Sequence, residues 1–535
     1  MIYMKARYSH YINKAVFMLC FCPLLLIAVG VHAQSPYDET IALNPFFSSS
    51  NTAGIRGQLD KTVIMMPNTG NERKAVSYAK LYGGYETGGF RNADGASALW
   101  GGGANAATIL HLPKVSMTGS FSFSQADGKD MCGSMFINPG YYPIDVVEFT
   151  PGRKTLQEYG FSGGFSSDIF AHWLAGGRID FKSANFSKRR DIRHTNYSLD
   201  LTATPSVVYK TGQWNFGLSY IFRKTSEYTK AEKLGTATAD TYYAFLDKGL
   251  MWGTYQMWSG NGLHLAEAGV DRFPVKEITH GVGVQIQHRK GFYIDAEYRS
   301  SNGEVGEKGF VWYKFPRREL SAGLSYVIIR PKAGHKIGLK YSSSAGLNKE
   351  SVIDKVAEGG ITTPTVYGYN TVLKHNRLCL NAFYDLYFNG KLELHCSMDY
   401  SYDKKVSTSV YPFYDTESFN ALGVNALGLY RFGRFELEAA LGFYGGYEWQ
   451  RKEENSGSAG LETKPFRLEE RYDIWKEYLV APRVTPELGL RFFVSGNYVK
   501  GIYVGAKAYD THAFGLKHIS GNDRFNALFE LGYRF

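Results

Sequence analysis

The sequence predicts a transmembrane antiparallel β-barrel of about 18 strands, with 16 or 14 strands as the alternatives. Three observations support this fold class. Long segments alternate apolar and polar side chains, the chain is rich in tyrosine, phenylalanine and glycine, and tight turns alternate with long polar stretches. A strand needs about 9–11 residues to cross a bilayer at a tilt, and barrels of the bacterial outer membrane have short turns on one side and longer loops on the other.

Residues 1–33 have the pattern of a secretory signal peptide. Basic residues precede an apolar run over 15–31, and Ala33 ends a small-residue motif of the kind that signal peptidase reads. The run is short and is interrupted by Pro23, which favours a cleaved signal over a membrane anchor. We therefore expect export of the chain and cleavage after Ala33.

Residues 34–74 precede the first predicted strand and form a segment of their own. A small hatch in the lumen, a periplasmic tail and a partner-docking strand are all compatible with its length. The folded plug of a TonB-dependent receptor is several times longer, which excludes that class for this chain acting alone. The barrel itself is predicted for residues 75–535.

The composition fits a barrel better than a soluble helical enzyme. Aromatic residues make up 15% of the chain, with 39 tyrosines, 35 phenylalanines and 59 glycines. After residue 33 no apolar run is long enough to cross a bilayer as a helix, and few segments have the period of an amphipathic helix. A secreted chain that is rich in tyrosine and glycine, yet polar on average, is typical of a transmembrane barrel.

Charge and cysteine content exclude two further classes of function. The net charge of +10 is mild for 535 residues, and the basic cluster 188–190 falls in a predicted loop, so no nucleic-acid partner is indicated. Beyond the predicted signal the cysteines are Cys132, Cys379 and Cys396. Their odd number and wide spacing predict neither a disulfide framework nor a metal site, and we expect no cofactor.

The predicted strands share a two-residue period. In the last of them, Phe529, Leu531 and Tyr533 share one parity, while Glu530 and Arg534 share the other. Lipid offers no hydrogen-bond partners, so the sheet must close, with the apolar parity facing lipid and the polar parity facing the lumen. The strands are predicted near 75–88, 97–110, 115–126, 156–166, 170–182, 197–210, 213–225, 275–288, 292–303, 318–330, 336–345, 376–388, 391–402, 418–431, 435–449, 480–493, 497–509 and 524–535.

The connections alternate between tight turns, such as Asn389-Gly390, and long polar stretches. The long stretches are predicted to be irregular extracellular loops, because outer-membrane barrels place their longer loops outside the cell. These stretches cover residues 127–155, 227–273, 346–375, 450–478 and 510–523.

The longest of these stretches, 227–273, carries large apolar side chains that a solvated loop would expose. Such side chains need a partner or a place inside the lumen. The first interpretation is a loop that folds back as a pore constriction, and the second is a docking site for a ligand or protein. The candidate residues are Met251, Trp252, Met257 and Trp258.

Charged residues of both signs fall on the predicted lumen-facing parity, without a ring of a single sign. Pairs of opposite charge on neighbouring strands would rigidify the wall. Selective permeation of a charged solute is the alternative interpretation. The candidate lumen-wall residues are Arg178, Asp180, Asp295, Glu297, Arg299, Glu436, Glu438 and Arg534.

The sequence gives little support to an enzymatic function. It contains no G-x-S-x-G, no H-E-x-x-H and no P-loop. His395 and Asp399 are the nearest approach to an acid–base pair, since they share one strand face. Four residues along a strand span about 13 Å, too far for a hydrogen bond. We therefore predict that the chain is not an enzyme.

Phe535 ends the last predicted strand with an aromatic carboxylate, and we interpret it as the assembly signal of an outer-membrane barrel. The signal ending in His-Ala-Gln and the segments 188–197, 202–209 and 531–535 resemble uncharacterised outer-membrane β-barrel proteins of Bacteroidota, a family with a domain of unknown function. The resemblance implies a barrel in the outer membrane and brings no catalytic or binding residues.

Two functions are compatible with these observations. The first is a pore or transport component for solute passage across the outer membrane. The second is a non-conducting structural or docking barrel whose loops bind a partner. The expected partners are outer-membrane lipids and lipopolysaccharide, the barrel-assembly machinery, and a surface lipoprotein or a TonB-dependent receptor.

Overall fold

The alternating segments pair with their neighbours in sequence until the sheet closes on itself. In the computed structural model of the chain, twenty strands form one antiparallel sheet, and all but a short hairpin pair belong to a closed barrel of 18 strands. The structure describes residues 75–534 except for 112–114, 191, 233–243, 251–253, 258–268, 289, 308–309, 331, 359–360, 409–413, 455–467 and 497–500. The predicted signal, the segment 34–74 and Phe535 lie outside the described residues.

Every predicted strand has a counterpart in the barrel, so the predicted fold class is confirmed. The strands of the first half, with the hairpin β8–β9, are β1 (Ala75–Gly88), β2 (Ala98–His111), β3 (Val115–Ser134), β4 (Asp145–Phe170), β5 (Trp173–Lys188), β6 (Arg193–Thr211), β7 (Trp214–Glu232), β8 (Ala244–Leu250), β9 (Thr254–Met257) and β10 (Gly269–His288). Those of the second half are β11 (Phe292–Glu307), β12 (Phe310–Ile329), β13 (Ala333–Glu358), β14 (Ile361–Phe388), β15 (Leu392–Ser407), β16 (Asp415–Phe432), β17 (Phe435–Lys452), β18 (Arg483–Phe493), β19 (Gly501–Ala513) and β20 (Asp523–Arg534).

The barrel closes where its first strand meets its last. Strand β1 pairs with β2 on one side and with β20 on the other, where Leu81 is opposite Leu531. Strand β7 pairs directly with β10, so the β8–β9 hairpin is not one of the strands of the barrel wall. Tight turns join strands at the end of the barrel where β1 begins and β20 ends, which is the periplasmic end in bacterial barrels. At one of them, Asn389 and Gly390 adopt φ angles of 52° and 65°, the left-handed conformation of a two-residue hairpin turn.

The two side-chain parities separate as the alternation predicts. On β20, Phe529 and Leu531 are 64% and 49% exposed on the outer surface of the barrel. Between them, the side chain of Glu530 is 7% exposed and lies against Lys80 and Arg491 of the lumen wall. The apolar side chains on the exterior suit contact with lipid. The backbone groups are also satisfied, because a closed sheet has no edge with unpaired hydrogen-bonding groups.

The predicted irregular loops at 127–155 and 346–375 are wrong in part, because much of both stretches is strand. Strands β13 and β14 have 26 and 28 residues, more than twice the length that crosses a bilayer. Their outer ends therefore stand beyond the membrane, where both faces of a sheet are free to be polar. The alternation that reveals a lipid-facing strand is absent there, which explains the error.

A helix in the stretch predicted as the loop 450–478 was also not expected. Helix α1 (Leu468–Val480) precedes β18 at the outer end of the barrel. Its Ile474 and Tyr478 pack on a small core formed by Phe90, Ala481, Ala513 and Ile519. Within the described part of the chain, no helix combines the length and the apolar character that crossing a membrane requires.

Candidate functional site

The connection between β3 and β4 turns inward and enters the lumen. The β3–β4 ladder shifts register twice, between Gly128 and Met131 and between Met131 and Gly133. Asp130 and Gly133 have φ angles of 56° and 81° there. Bulges of this kind bend a strand and redirect the chain beyond them. Residues 135–144, hereafter the plug segment, therefore fold back between the walls of the barrel.

The plug segment forms a hydrophobic core with the inner face of the wall. The ring of Phe136 lies 5.6 Å from that of Tyr142 and 6.0 Å from that of Phe273 on β10, while Tyr142 is 5.6 Å from Phe315 on β12. Apolar side chains that face an aqueous lumen would be costly unless the plug segment covered them. The remaining buried members of this core are Met135, Ile144, Val146, Ile192, Ala231, Leu246, Val275, Val305, Trp312 and Tyr313.

Tyr141 ties the plug segment to three strands of the lumen wall. Its hydroxyl donates to Glu277 Oε1 on β10 at 2.9 Å and accepts from Arg317 on β12 at 2.7 Å and from Arg223 on β7 at 3.0 Å. Arg317 also pairs with Glu277 at 2.8 Å. Burial, with Glu277 nearby, raises the pKa of Tyr141 to about 12, so the hydroxyl keeps its proton at neutral pH. Hydrogen bonds to charged groups of this kind are among the stronger ones in proteins.

Backbone groups of the plug segment also find partners on the wall. Glu227 accepts a hydrogen bond from the amide of Ile137 at 2.8 Å, and Asn196 donates to the carbonyl oxygen of Met135 at 2.8 Å. Further along the wall, on β13, Asn348 donates to the carbonyl oxygen of Pro143 at 3.1 Å. The segment is therefore held along the part of the wall that runs from β6 to β13.

The β8–β9 hairpin, within the predicted constriction loop 227–273, spans the same opening. Strand β8 pairs with the outer end of β4, where Asp247 is opposite Asp145. On the far side, Lys248 pairs with Glu350 on β13 at 2.6 Å. Met257 lies at the end of β9 in register with Phe245. Met251, Trp252 and Trp258 lie outside the described residues, so their role in a constriction or a docking site stays a prediction.

Helix α1 is a third element that crosses the mouth. Arg471 pairs with Asp94 in the β1–β2 connection and donates to Cys132 Sγ on β3 at 3.1 Å. The next residue, Tyr472, donates to Glu417 on β16 at 3.2 Å, almost opposite β3 in the ring of strands. Burial raises the pKa of Asp94, and Arg471 opposes that effect. The plug segment, the hairpin and α1 all lie at the outer end of the barrel.

The substitution Gly303→Ala is expected to loosen the plug segment. A Cβ atom at Gly303 on β11 would lie 1.8 Å from the ring of Phe315, which packs against Tyr142. The ring must move, and overpacking of this kind costs about 1–3 kcal/mol. We expect faster proteolysis within residues 135–144 in the folded barrel. Gly163→Ala is the matched control, because no atom lies within 4 Å of the added Cβ there; equal cleavage in both variants would contradict the prediction.

Nearer the periplasmic end, ion pairs line the lumen wall at the predicted candidate residues. Glu436 contacts Arg431, Arg491 and Arg534, at 2.9, 2.8 and 3.2 Å. Glu438 contacts Arg491 at 3.3 Å. On other parts of the wall the remaining pairs lie within single strands, Arg178 with Asp180 at 2.9 Å and Arg299 with Glu297. Asp295 lines a cavity together with Glu297 and Arg299.

That cavity has a volume of about 590 Å³ and is formed by the inner face of β11 to β15. Most of the side chains that point into it are charged, hydroxyl or amide groups, among them Lys340, Asp399 and Arg377. Cavities of this size suit small solutes, and a polar lining suits polar ones. It lies further from the outer mouth than the Tyr141 contacts, since Glu319 and Ser321 follow Arg317 on the descending strand β12.

His395 has a different partner from the one considered in the sequence. Its Nδ1 lies 2.5 Å from Asp385 Oδ1 on the neighbouring strand β14. The plug contacts of Tyr141 and the pairing of Lys248 were also missed. An aromatic and apolar run at 135–144, inside a stretch expected to be solvated, is the signal that would have indicated the plug segment.

Comparison with known proteins gives one family and several distant structures. A family model described as "Family of unknown function (DUF6850)" matches residues 67–535. A search of curated proteins finds no match. The siderophore receptor PirA from Acinetobacter baumannii is 8% identical, covers 87% of this chain and 81% of its own, and has a TM-score of 0.42.

Two further solved structures show similar values. FpvA of P. aeruginosa, bound to pyoverdines, is 8% identical over 86% of this chain and 72% of its own, with a TM-score of 0.40. The RagAB peptide transporter is 10% identical over 86% and 75%, with a TM-score of 0.39. All three likenesses are distant, and none of them assigns a solute or a partner to this chain.

Proposed function

The chain belongs to the DUF6850 family of unknown function, so we propose a function from its own geometry: an outer-membrane pore that is closed at its outer mouth in this conformation and passes a polar solute when the plug segment moves. One observation carries the proposal. The plug segment is bound to the inner face of a wide barrel, on strands from β6 to β13, above a polar cavity in the same lumen. A barrel of about 16–18 strands encloses an aqueous channel unless something fills it.

The chemistry of the plug contacts supports a closure that can be reversed. Tyr141, Arg223, Glu277 and Arg317 interact through hydrogen bonds and charge, and no disulfide joins the described part of the plug segment to the wall. Water can replace such contacts when the segment moves outward. A barrier made only of wall side chains would have no comparable way to open.

Location and partners belong to the same proposal. The apolar exterior suits the outer membrane and contact with its lipids and lipopolysaccharide. Insertion by the barrel-assembly machinery, with Phe535 as the signal, and gating by a surface lipoprotein or a TonB-dependent receptor remain proposals, as does the absence of enzymatic activity. The docking barrel remains the second candidate, because helix α1 and the β13–β14 hairpin offer extracellular surfaces.

Conductance of variants with the closing elements removed tests the pore. We expect purified parent protein in planar bilayers to be closed for most of the time. A variant in which short glycine–serine turns replace residues 136–144 and 236–267 is expected to give stable step currents, because both the plug segment and the β8–β9 hairpin are gone. Removing the outer tip 355–364 of β13–β14 is the matched control and should leave the parent behaviour unchanged.

Folding must be verified for each variant by the heat-dependent shift in electrophoretic mobility that barrels show. Silence from the correctly folded double deletion, and from the same variant with helix α1 also replaced by a short turn, would exclude the pore and leave the docking barrel as the function that fits.

A further inference from the structure

The cavity wall is built from three rows of side chains that the strand register places at three levels. The lower row joins Asp295, Gly323, Lys340, Asn381 and Asp399 across β11 to β15. The middle row joins Glu297, Ser321, Ser342, Cys379 and Ser401. The upper row joins Arg299, Glu319, Ser344 and Arg377. Rows two residues apart along a strand are separated by about 6.7 Å.

From β12 to β15 the side chains of the middle row are small, whereas the rows above and below carry charged side chains on these strands. Four consecutive strands contribute Ser321, Ser342, Cys379 and Ser401, none of which reaches far into the lumen. Each of these strands has a longer side chain above or below this level, which leaves a recess, hereafter the serine recess. Among the described residues, the hydroxyl groups of these serines have no hydrogen-bond partner, so they are available to a solute.

The upper row is already neutralised. Arg377 pairs with Asp403 at 2.9 Å, Glu319 with Arg317 at 3.4 Å, and Arg299 with Glu297 of the middle row. A solute that met this row would have to compete with existing ion pairs. The charges that are free to act lie in the lower row.

Lys340 and Asp399 are the two charges of the lower row that lack an ion-pair partner. No carboxylate oxygen of the described residues lies within 4 Å of Lys340 Nζ, which lies 5.1 Å from the centre of the Phe383 ring. Asp399 accepts hydrogen bonds from Asn381 at 2.5 Å and from Ser397 and Asn425 at 3.4 Å each, and no cation lies within 4 Å of it in the described chain. Both side chains are partly exposed, and both line the cavity.

The spacing of these two charges limits what can satisfy both. Lys340 is opposite Asn381, and Asn381 is opposite Asp399, so the two charged residues lie two strands apart in one row. Neighbouring strands are about 4.8 Å apart, which separates the two backbone positions by about 9.6 Å. The side chains do not pair directly, and a solute with a negative and a positive end can bridge them.

We propose that the serine recess binds a zwitterionic solute with a free ammonium and a free carboxylate group, such as an amino acid or a short peptide. The solute carboxylate pairs with Lys340 and accepts hydrogen bonds from Ser321 or Ser342. The solute ammonium pairs with Asp399. This inference rests on the proposed pore, because it names the solute of that pore. The site itself is tested by binding and not by conduction.

Calorimetric titration of the full chain in detergent tests the site. Glycine, diglycine and triglycine present the same two groups at increasing separation, so the series distinguishes an amino-acid site from a peptide site. N-acetyl-triglycine lacks the ammonium and triglycinamide lacks the carboxylate. We expect at least one zwitterion to bind and the matching blocked compounds to bind roughly tenfold more weakly or worse, because a hydrogen-bonded charge pair is lost.

Two variants assign the two ends of the solute. Lys340→Gln is expected to lower the affinity for the zwitterion roughly tenfold and to leave the affinity for triglycinamide unchanged. Asp399→Asn is expected to lower the affinity for the zwitterion by a similar factor and to leave the affinity for N-acetyl-triglycine unchanged. Lys182→Gln, on the lumen face of β5, removes a lysine from another part of the wall and is the matched control. Equal affinity of all variants, or no binding of any zwitterion to the folded parent, would overturn the proposal.

The thiol of Cys379 locates the bound solute. It lies in the middle row, whereas Cys132 is buried and Cys396 lies on the lipid-facing parity of β15. Bound zwitterion should slow alkylation of Cys379, measured by peptide mass spectrometry, without changing Cys396. Zwitterion binding to a barrel that stays silent without its closing elements would exclude the proposed pore and support the proposed binding site. A barrel that conducts but does not bind a zwitterion would support the pore and exclude the binding site.

Discussion

Glu148→Gln is expected to destabilise the outer part of the barrel more than a change at an exposed carboxylate can. Glu148 is fully buried between two lysines whose side chains are also inaccessible, with Lys188 at 2.6 Å and Lys154 at 3.2 Å. Glutamine keeps the shape and removes the charge, so two buried ammonium groups lose their common counter-charge. Breaking a buried ion pair from one side costs about 3–5 kcal/mol.

The measurement is the temperature at which the folded band converts to the unfolded band in electrophoresis, supported by proteolysis of the outer strands. Glu158→Gln on the same strand is the control, since Glu158 is exposed and such changes cost about 0.5 kcal/mol or less. Glu148→Gln combined with Lys188→Met should recover part of the loss, because fewer buried charges are then unpaired. A Glu148→Gln barrel as stable as the Glu158→Gln barrel would contradict the prediction.

The wall of the barrel was predictable because its signal is local. Each lipid-facing strand must alternate residue by residue, and each tight turn is encoded in two or three neighbouring residues, as at Asn389 and Gly390. All eighteen predicted segments therefore overlap barrel strands, and errors collect at their outer ends. There the membrane no longer imposes alternation, so β13 and β14 continue well beyond their predicted limits.

The elements that close the barrel were less predictable because their partners are distant in sequence. Tyr141 meets Glu277 and Arg317, which are separated from it by 136 and 176 residues. No local period encodes such contacts. The same holds for helix α1, since Arg471 and Tyr472 gain their partners only after the barrel has brought β3 and β16 to opposite sides of one mouth.

The register between strands is less predictable than the strands themselves and more predictable than the plug contacts. The pairing of His395 with Asp385 follows from the Asn389-Gly390 turn, which fixes which residues of β14 and β15 face each other. When β15 is considered alone, the nearest acidic partner it offers His395 further along the same face is Asp399, two positions away on that face. The rows of the serine recess need the register of four consecutive strand pairs, and errors of one residue in any of them would scatter Lys340, Asn381 and Asp399.

Glu436→Gln is expected to weaken the closing part of the barrel. Glu436 is 1% exposed and contacts Arg431 on β16, Arg491 on β18 and Arg534 on β20, so one carboxylate connects four strands. Surface ion pairs contribute about 0–1 kcal/mol, but this carboxylate is buried, and its removal leaves three guanidinium groups close together.

Two costs add in this variant, the lost attraction and the mutual repulsion of the arginines, so we expect a loss of about 3–5 kcal/mol. Because Arg534 is near the end of β20, the β1–β20 seam should open first, which hydrogen exchange of β1 amides would detect as faster exchange than in β13. Glu453→Gln removes an exposed partner of Arg451 and should leave exchange unchanged. If exchange in β1 and the unfolding temperature both stayed at parent values, the Glu436 network would have no role in holding the barrel closed.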